Sequence, residues 1–167
     1  EVSNGSFSQE GSEQVTNGDF ATDSAWSKGT GVTISGGSAN FTGVPNANIN
    51  QNLGLVTGKT YKIAFTVSNY VSGDIDYNVG GNTRQGSISA NGVYTDYVVS
   101  NSGPNLFLQS AQSIGFTGSI DNVSVKEVGQ NWTLDSGWSI GDNKSTFNSS
   151  SGAGNVSQIN VFESGKT

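Results

Sequence analysis

The sequence predicts an all-β fold, an antiparallel jelly-roll β-sandwich of about eight to ten short strands. Three observations predict it. No stretch sustains helical periodicity, whereas short runs alternate apolar and polar residues. Glycine-rich turn signals separate those runs. The composition is rich in glycine (24 of 167 residues) and only 12% charged, about half the usual share. The aromatics (8 Phe, 5 Tyr and 3 Trp) are enough to nucleate a core.

The strands are justified in chain order. Residues 31–35 and 38–42 flank the turn Gly36-Gly37. In 47–55, Ile49 and Leu53 share one face while Asn48, Asn50 and Asn52 share the other. In 60–68, Tyr61, Ile63, Phe65 and Val67 face one way, with Lys62, Thr66 and Ser68 opposite. In 74–79, Ile75, Tyr77 and Val79 oppose Asp74, Asp76 and Asn78. Further strands are expected over 93–100, 105–110 and 119–126, with turns at Gly58, Gly73, Gly80-Gly81, Gly92 and Gly103-Pro104. The expected core is Phe20, Trp26, Ile34, Phe41, Leu53, Tyr61, Ile63, Phe65, Val67, Phe107, Phe116, Val123 and Val125.

Several function classes fall away on residue types alone. The chain has no Cys and no His, which removes thiol chemistry, Cys/His zinc sites and a Ser-His-Asp triad. Net charge is −6 and Arg84 is the only arginine, so no basic surface for nucleic acid exists. No run is apolar for long enough to make a membrane-spanning helix. Gly58-Lys59-Thr60 lacks the upstream glycine of a phosphate loop and precedes a strand, not a helix.

An internal repeat organises the chain. Residues 32–41 match 138–147 at an offset of 106, and 51–60 match 158–167 at 107, ending in the same Gly-Lys-Thr. One unit therefore spans 14–127, and 130–167 is the N-terminal part of a second copy. Its Trp132 aligns with Trp26, and Trp138 with Val32, so all three tryptophans are expected in cores. The fragment carries Trp132, Trp138, Ile140, Phe147, Val156, Ile159, Val161 and Phe162, more apolar surface than a half-unit can hide. The expectation is that a longer chain or another molecule completes it by strand addition. Residues 1–13 form a linker or an extra edge strand, and are the natural donor. Within them Val2-Ser3-Asn4-Gly5-Ser6-Phe7 echoes Val15-Thr16-Asn17-Gly18-Asp19-Phe20 at an offset of 13.

The series Val15-Thr16-Asn17-Gly18-Asp19-Phe20, Trp26, Gly58-Lys59-Thr60-Tyr61-Lys62-Ile63 and Gly118-Ser119-Ile120-Asp121-Asn122-Val123-Ser124-Val125 resembles the carbohydrate-binding-module-like jelly rolls (families 4, 9 and 22, galactose-binding-like fold). It is most similar to tandem copies of that module in tail, fibre and surface proteins of marine phages and bacteria. The resemblance implies two antiparallel sheets, adjacent first and last strands, and a structural calcium at Asp121 with Asp19 and its neighbours nearby. The second unit departs from the pattern, lacking the Asn-Gly-Asp-Phe opening.

Candidate ligand-binding residues are Arg84, Tyr70, Tyr77, Tyr94 and Asp76. Tyrosine offers an apolar face and a hydroxyl, and arginine a bidentate fork. Tyr77 can equally fill the core with Ile75 and Val79. No catalytic residues are expected. The leading reading is a non-enzymatic structural or adhesion module of a virion fibre or extracellular surface appendage, partnered by copies of the same module and assembling head to tail. The alternative is a carbohydrate-binding module that recognises a glycan, with an aromatic side chain exposed among Asn, Gln, Asp or Arg.

Overall fold

The computed structural model describes residues 2, 5–7, 9–82, 84–135, 137–149 and 152–158. Fifteen strands and no α-helix are found among them: β1 (Glu10–Glu13), β2 (Ser27–Lys28), β3 (Val32–Ser35), β4 (Ser38–Thr42), β5 (Asn48–Asn52), β6 (Thr60–Ser72), β7 (Ile75–Val79), β8 (Gln85–Ile88), β9 (Gly92–Val99), β10 (Asn105–Ser110), β11 (Thr117–Val128), β12 (Thr133–Leu134), β13 (Trp138–Gly141), β14 (Lys144–Phe147) and β15 (Val156–Ser157). The first eleven form a sandwich of two antiparallel sheets. One has the order β3-β4-β11-β6-β9, with β1 also on β11; the other has the order β2-β5-β10-β7-β8. No helix among the described residues is long and apolar enough to cross a membrane.

Alternation builds the core as the sequence predicts. Ile49, Ile63, Phe65, Val67, Ile75, Val79, Phe116, Ile120 and Val125 are at most 2% exposed. Phe107 is the correction. It is half-buried and faces outward, while Leu106 and Leu108 on either side fill the core. A strand has room inside for only one parity, and two leucines take it. Strands β2 and β8 are additions. Each is short, polar and at a sheet edge, so neither carries an apolar alternation to be read.

The two ends of the sandwich are clasped. β1 pairs with β11 as Glu10↔Val128 and Glu13↔Lys126. The Glu13 carboxylate accepts the Val125 N–H at 2.8 Å and the Ser124 hydroxyl at 2.5 Å. Lys126 and Lys62 lie directly opposite each other on β11 and β6. Glu10 resolves this repulsion, pairing with Lys62 at 2.5 Å and Lys126 at 3.0 Å. Hydrogen bonds from Lys62 and then Lys126 hold the Glu10 carboxyl below its ordinary range, against the opposing effect of burial. A depressed acid stabilises the fold above its unfolded pKa and loses that contribution as pH falls through the folded one. The clasp is therefore expected to loosen below about pH 4.3, the ordinary glutamate value. Urea midpoints followed down through that pH should fall less steeply in Glu10→Gln than in the parent chain; parallel curves would contradict the assignment.

Residues 130–158 repeat the pairings of the first unit in register. β13 and β14 pair Trp138↔Phe147 and Ile140↔Ser145, as β3 and β4 pair Val32↔Phe41 and Ile34↔Ala39. The turns match as well, with positive φ at Asp142 and Asn143 as at Gly36 and Gly37. β12 and β15 pair Thr133↔Ser157 and Leu134↔Val156, as β2 and β5 pair Ser27↔Asn50 and Lys28↔Ile49. Trp132 and Trp138, expected in a core, are only half-buried; the strands beside them form two two-stranded sheets among the described residues, and β13 rests on the β6–β9 edge, where Ile140 rather than a tryptophan is buried. Trp138 packs on Phe147 at 5.1 Å, and Gly141 fits against the Tyr97 ring. Ile159, Val161 and Phe162 lie outside the described residues.

Candidate functional site

The outward face of the second sheet combines one aromatic ring with a ladder of amides. Strand parity places Asn48, Asn50 and Asn52 of β5 outside, because Ile49 and Gln51 point in. On β10 the same parity exposes Asn105, Phe107 and Gln109, and on β7 Asp76 and Asn78. Register aligns them in rows. Phe107 lies between Asn50 and Asn78; Gln109 lies between Asn48 and Asp76; Asn105 is opposite Asn52. Asn50 donates to Asn48 Oδ1 at 3.1 Å, and Asn78 donates to the Asn82 carbonyl. These bonds fix the amides and leave each with further donors and acceptors.

Arg84 and Asp76 meet at the edge of this face, 2.9 Å apart. The guanidinium also donates to the Ser110 carbonyl at 2.6 Å. It is thereby braced across β7 and β10, ready to present its remaining N–H groups to a hydroxyl or carboxylate. Asp76 is thereby held in an ion pair with Arg84.

The other three candidates lie elsewhere. Tyr77 and Tyr94 line a crevice of about 270 Å³ between the β8 and β9 edges, with Phe65, Ile63 and Asp96. Tyr77 is 8% exposed, and its hydroxyl donates to Asp96 Oδ2 at 2.5 Å, joining the two sheets. Burial first, and then the Asp96 carboxylate, push the Tyr77 phenol well above the ordinary tyrosine range, so it stays a proton donor. Tyr94 stacks on Phe65 at 5.8 Å. Tyr70 lines neither site and packs near Phe116 at 6.2 Å.

The calcium residues are partly brought together. The Val123 N–H donates to the Gly18 carbonyl at 2.9 Å, which sets 17–19 against 121–123. Yet Asp121 accepts from Asn122 on both oxygens, at 2.6 and 3.1 Å. Asp19 is exposed and accepts the Ala21 N–H at 3.3 Å. Calcium wants six to eight oxygens, and no three acidic side chains gather anywhere among the described residues. In this arrangement the donor set does not fit the ion. The expected result is a thermal midpoint unmoved by a chelator. A fall of several degrees on chelation, reversed by added calcium, would show that Asp121 turns away from Asn122 to ligate.

Phe107 is the site residue that sequence reasoning misplaced. A signal was present: its i±2 neighbours, Asn105 and Gln109, are both polar, and i±2 neighbours share a face.

No family model matches the sequence, and no curated protein does. Solved structures align with part of the chain. The CBM35 module from Paenibacillus barcinonensis is 19% identical, covering 62% of this chain and 93% of its own, with a TM-score of 0.42. The CBM22-1 xylan-binding domain of Xyn10C from the same organism is 14% identical over 72% of this chain and 97% of its own, with a TM-score of 0.48. The enzymatically active domain of tailspike protein 4 from bacteriophage CBA120 is 18% identical over 69% of this chain and 21% of its own, also at 0.48. By its own strand order and pairing, this chain is a β-sandwich of two antiparallel sheets.

Proposed function

We propose that residues 14–127 are a non-enzymatic carbohydrate-binding module whose binding surface is the outer face of β5, β10 and β7. One observation carries this reading: Phe107 stands outward at the centre of that face, with Asn50 and Asn78 beside it and Gln109, Asn48 and Asp76 in the next row. A sugar ring has an apolar C–H face and a rim of hydroxyls. The phenyl ring suits the first and the amides suit the second. The site is open along the strands, which suits an extended glycan chain. The test is retardation of the protein in gels cast with soluble polysaccharides, together with a glycan array. Retardation by at least one polysaccharide supports the reading; none across neutral and acidic glycans overturns it.

The finer proposal is that such modules stand in tandem on an extracellular surface appendage or virion fibre and adhere there through this face. The register-matched strands of 130–158 support the tandem arrangement. Residues 130–167 are, in this proposal, part of a second copy completed by further chain or by a neighbouring copy.

A further inference from the structure

The second unit lacks the Asn-Gly-x-Phe opening, and the structure places a Phe where that opening would stand. In the first unit Phe20 packs on Trp26 with ring centroids 5.2 Å apart and planes at 38°. In the second, Trp132 takes the place of Trp26, and the ring on it is Phe7, at 4.9 Å and 38°. Backbone geometry agrees. Phe20 has φ of 49° and Phe7 has φ of 56°, a left-handed conformation uncommon for a bulky residue. Ala25, before Trp26, has φ of 66°; Asn131, before Trp132, has φ of 73°. Phe7 also closes the Val-Ser-Asn-Gly-Ser-Phe echo of the motif ending in Phe20. Sequence, ring geometry and backbone conformation thus name the same pair independently.

We infer that the segment ending at Phe7 is the opening motif of the second unit, delivered to Trp132 from the N-terminal side of the first unit. The two units are then interlocked. Phe7 sits in the second unit; the chain then builds β1 against β11 of the first, completes the first sandwich, and returns at Trp132 to Phe7. The occupant of the Trp132 seat is Phe7 of this chain. The same joint made between copies would link one molecule's beginning to another's second unit, a head-to-tail contact that does not close on itself.

This inference rests on reading 130–158 as a second unit, and the experiment separates the two. Amide exchange is measured on the full chain and on Phe7→Ala. The expected result is exchange at Asp135 and Asn155, whose amides are bonded across the β12–β15 pair, faster by about tenfold or more in Phe7→Ala, with β6 and β11 unchanged. A chain lacking residues 1–9 should show the same loss, and a synthetic peptide of residues 1–9 should restore protection. Protection in the parent chain that Phe7→Ala leaves intact overturns the interlock alone. No protection at Asp135 and Asn155 in the parent chain overturns the second unit and the interlock with it. Concentration-dependent assembly that the free peptide dissolves would establish the same joint between copies.

Discussion

Replacing Phe107 with Ala is expected to abolish polysaccharide retention while leaving the thermal midpoint nearly unchanged. The two effects separate because of where the ring stands. Phe107 faces outward, so its loss opens no cavity in the core. Its neighbours in sequence behave oppositely. Leu106 and Leu108 are fully buried, and Leu108→Ala should cost about 2–5 kcal/mol through the cavity it leaves. On the ligand side, removing the stacking platform should weaken binding by tenfold or more, which corresponds to about 1.4 kcal/mol. Phe107→Tyr keeps the ring and should keep binding. Affinity electrophoresis and melting curves on the three variants check the pattern. A Phe107→Ala protein that binds as the parent does would remove this face from consideration.

The largest expected effect on stability comes from a glycine. Gly73 has φ of +76°, and a Cβ there would stand 1.9 Å from the Gly115 carbonyl oxygen. Gly115 is itself pressed on Gly43, whose carbonyl oxygen would lie 2.0 Å from a Gly115 Cβ. Gly43 in turn donates its N–H to the Phe116 carbonyl at 2.9 Å. Three backbones therefore meet with no side chain between them, directly beside the fully buried Phe116. Gly73→Ala adds left-handed strain to a clash with main chain that has nowhere to move, at a cost of about 3 kcal/mol or more. The midpoint should drop by roughly 10 °C. Gly36→Ala is the control. Its φ is +62° but nothing lies within 4 Å, so only the conformational penalty, about 1 kcal/mol, should appear. Equal losses at the two positions would show that strain, not contact, governs both.

These cases mark what could be read from the chain. Local alternation is a property of neighbouring residues, so β5, β6 and β7 and their inward faces were legible, as was the amide face of Asn48, Asn50 and Asn52. Leu106-Phe107-Leu108 was less so: three apolar residues in a row blur the parity, and the polar Asn105 and Gln109 on either side are the signal that Phe107 faces out. Asp76 stood out as an acid on a polar face, but its partner Arg84 lies beyond the turn that follows β7. The Tyr77–Asp96 bond joins two sheets, and nothing local in either segment announces it. The triple meeting of Gly43, Gly73 and Gly115 is likewise non-local; the sequence marks Gly73 as a turn without saying what it faces.

The clasp of β1 on β11 also determines how the module responds to being pulled. Glu10 stands opposite Val128 in antiparallel strands, so the incoming and outgoing chain leave the sandwich side by side. Tension between them does not slide the two strands past each other, which would load every ladder bond at once. It peels them, parting Phe7 from Trp132 first, the Glu10 pairs with Lys62 and Lys126 next, and then the Glu13 bonds to Ser124 and Val125. The seam therefore yields one contact at a time, and the chain lengthens there before the sandwich breaks.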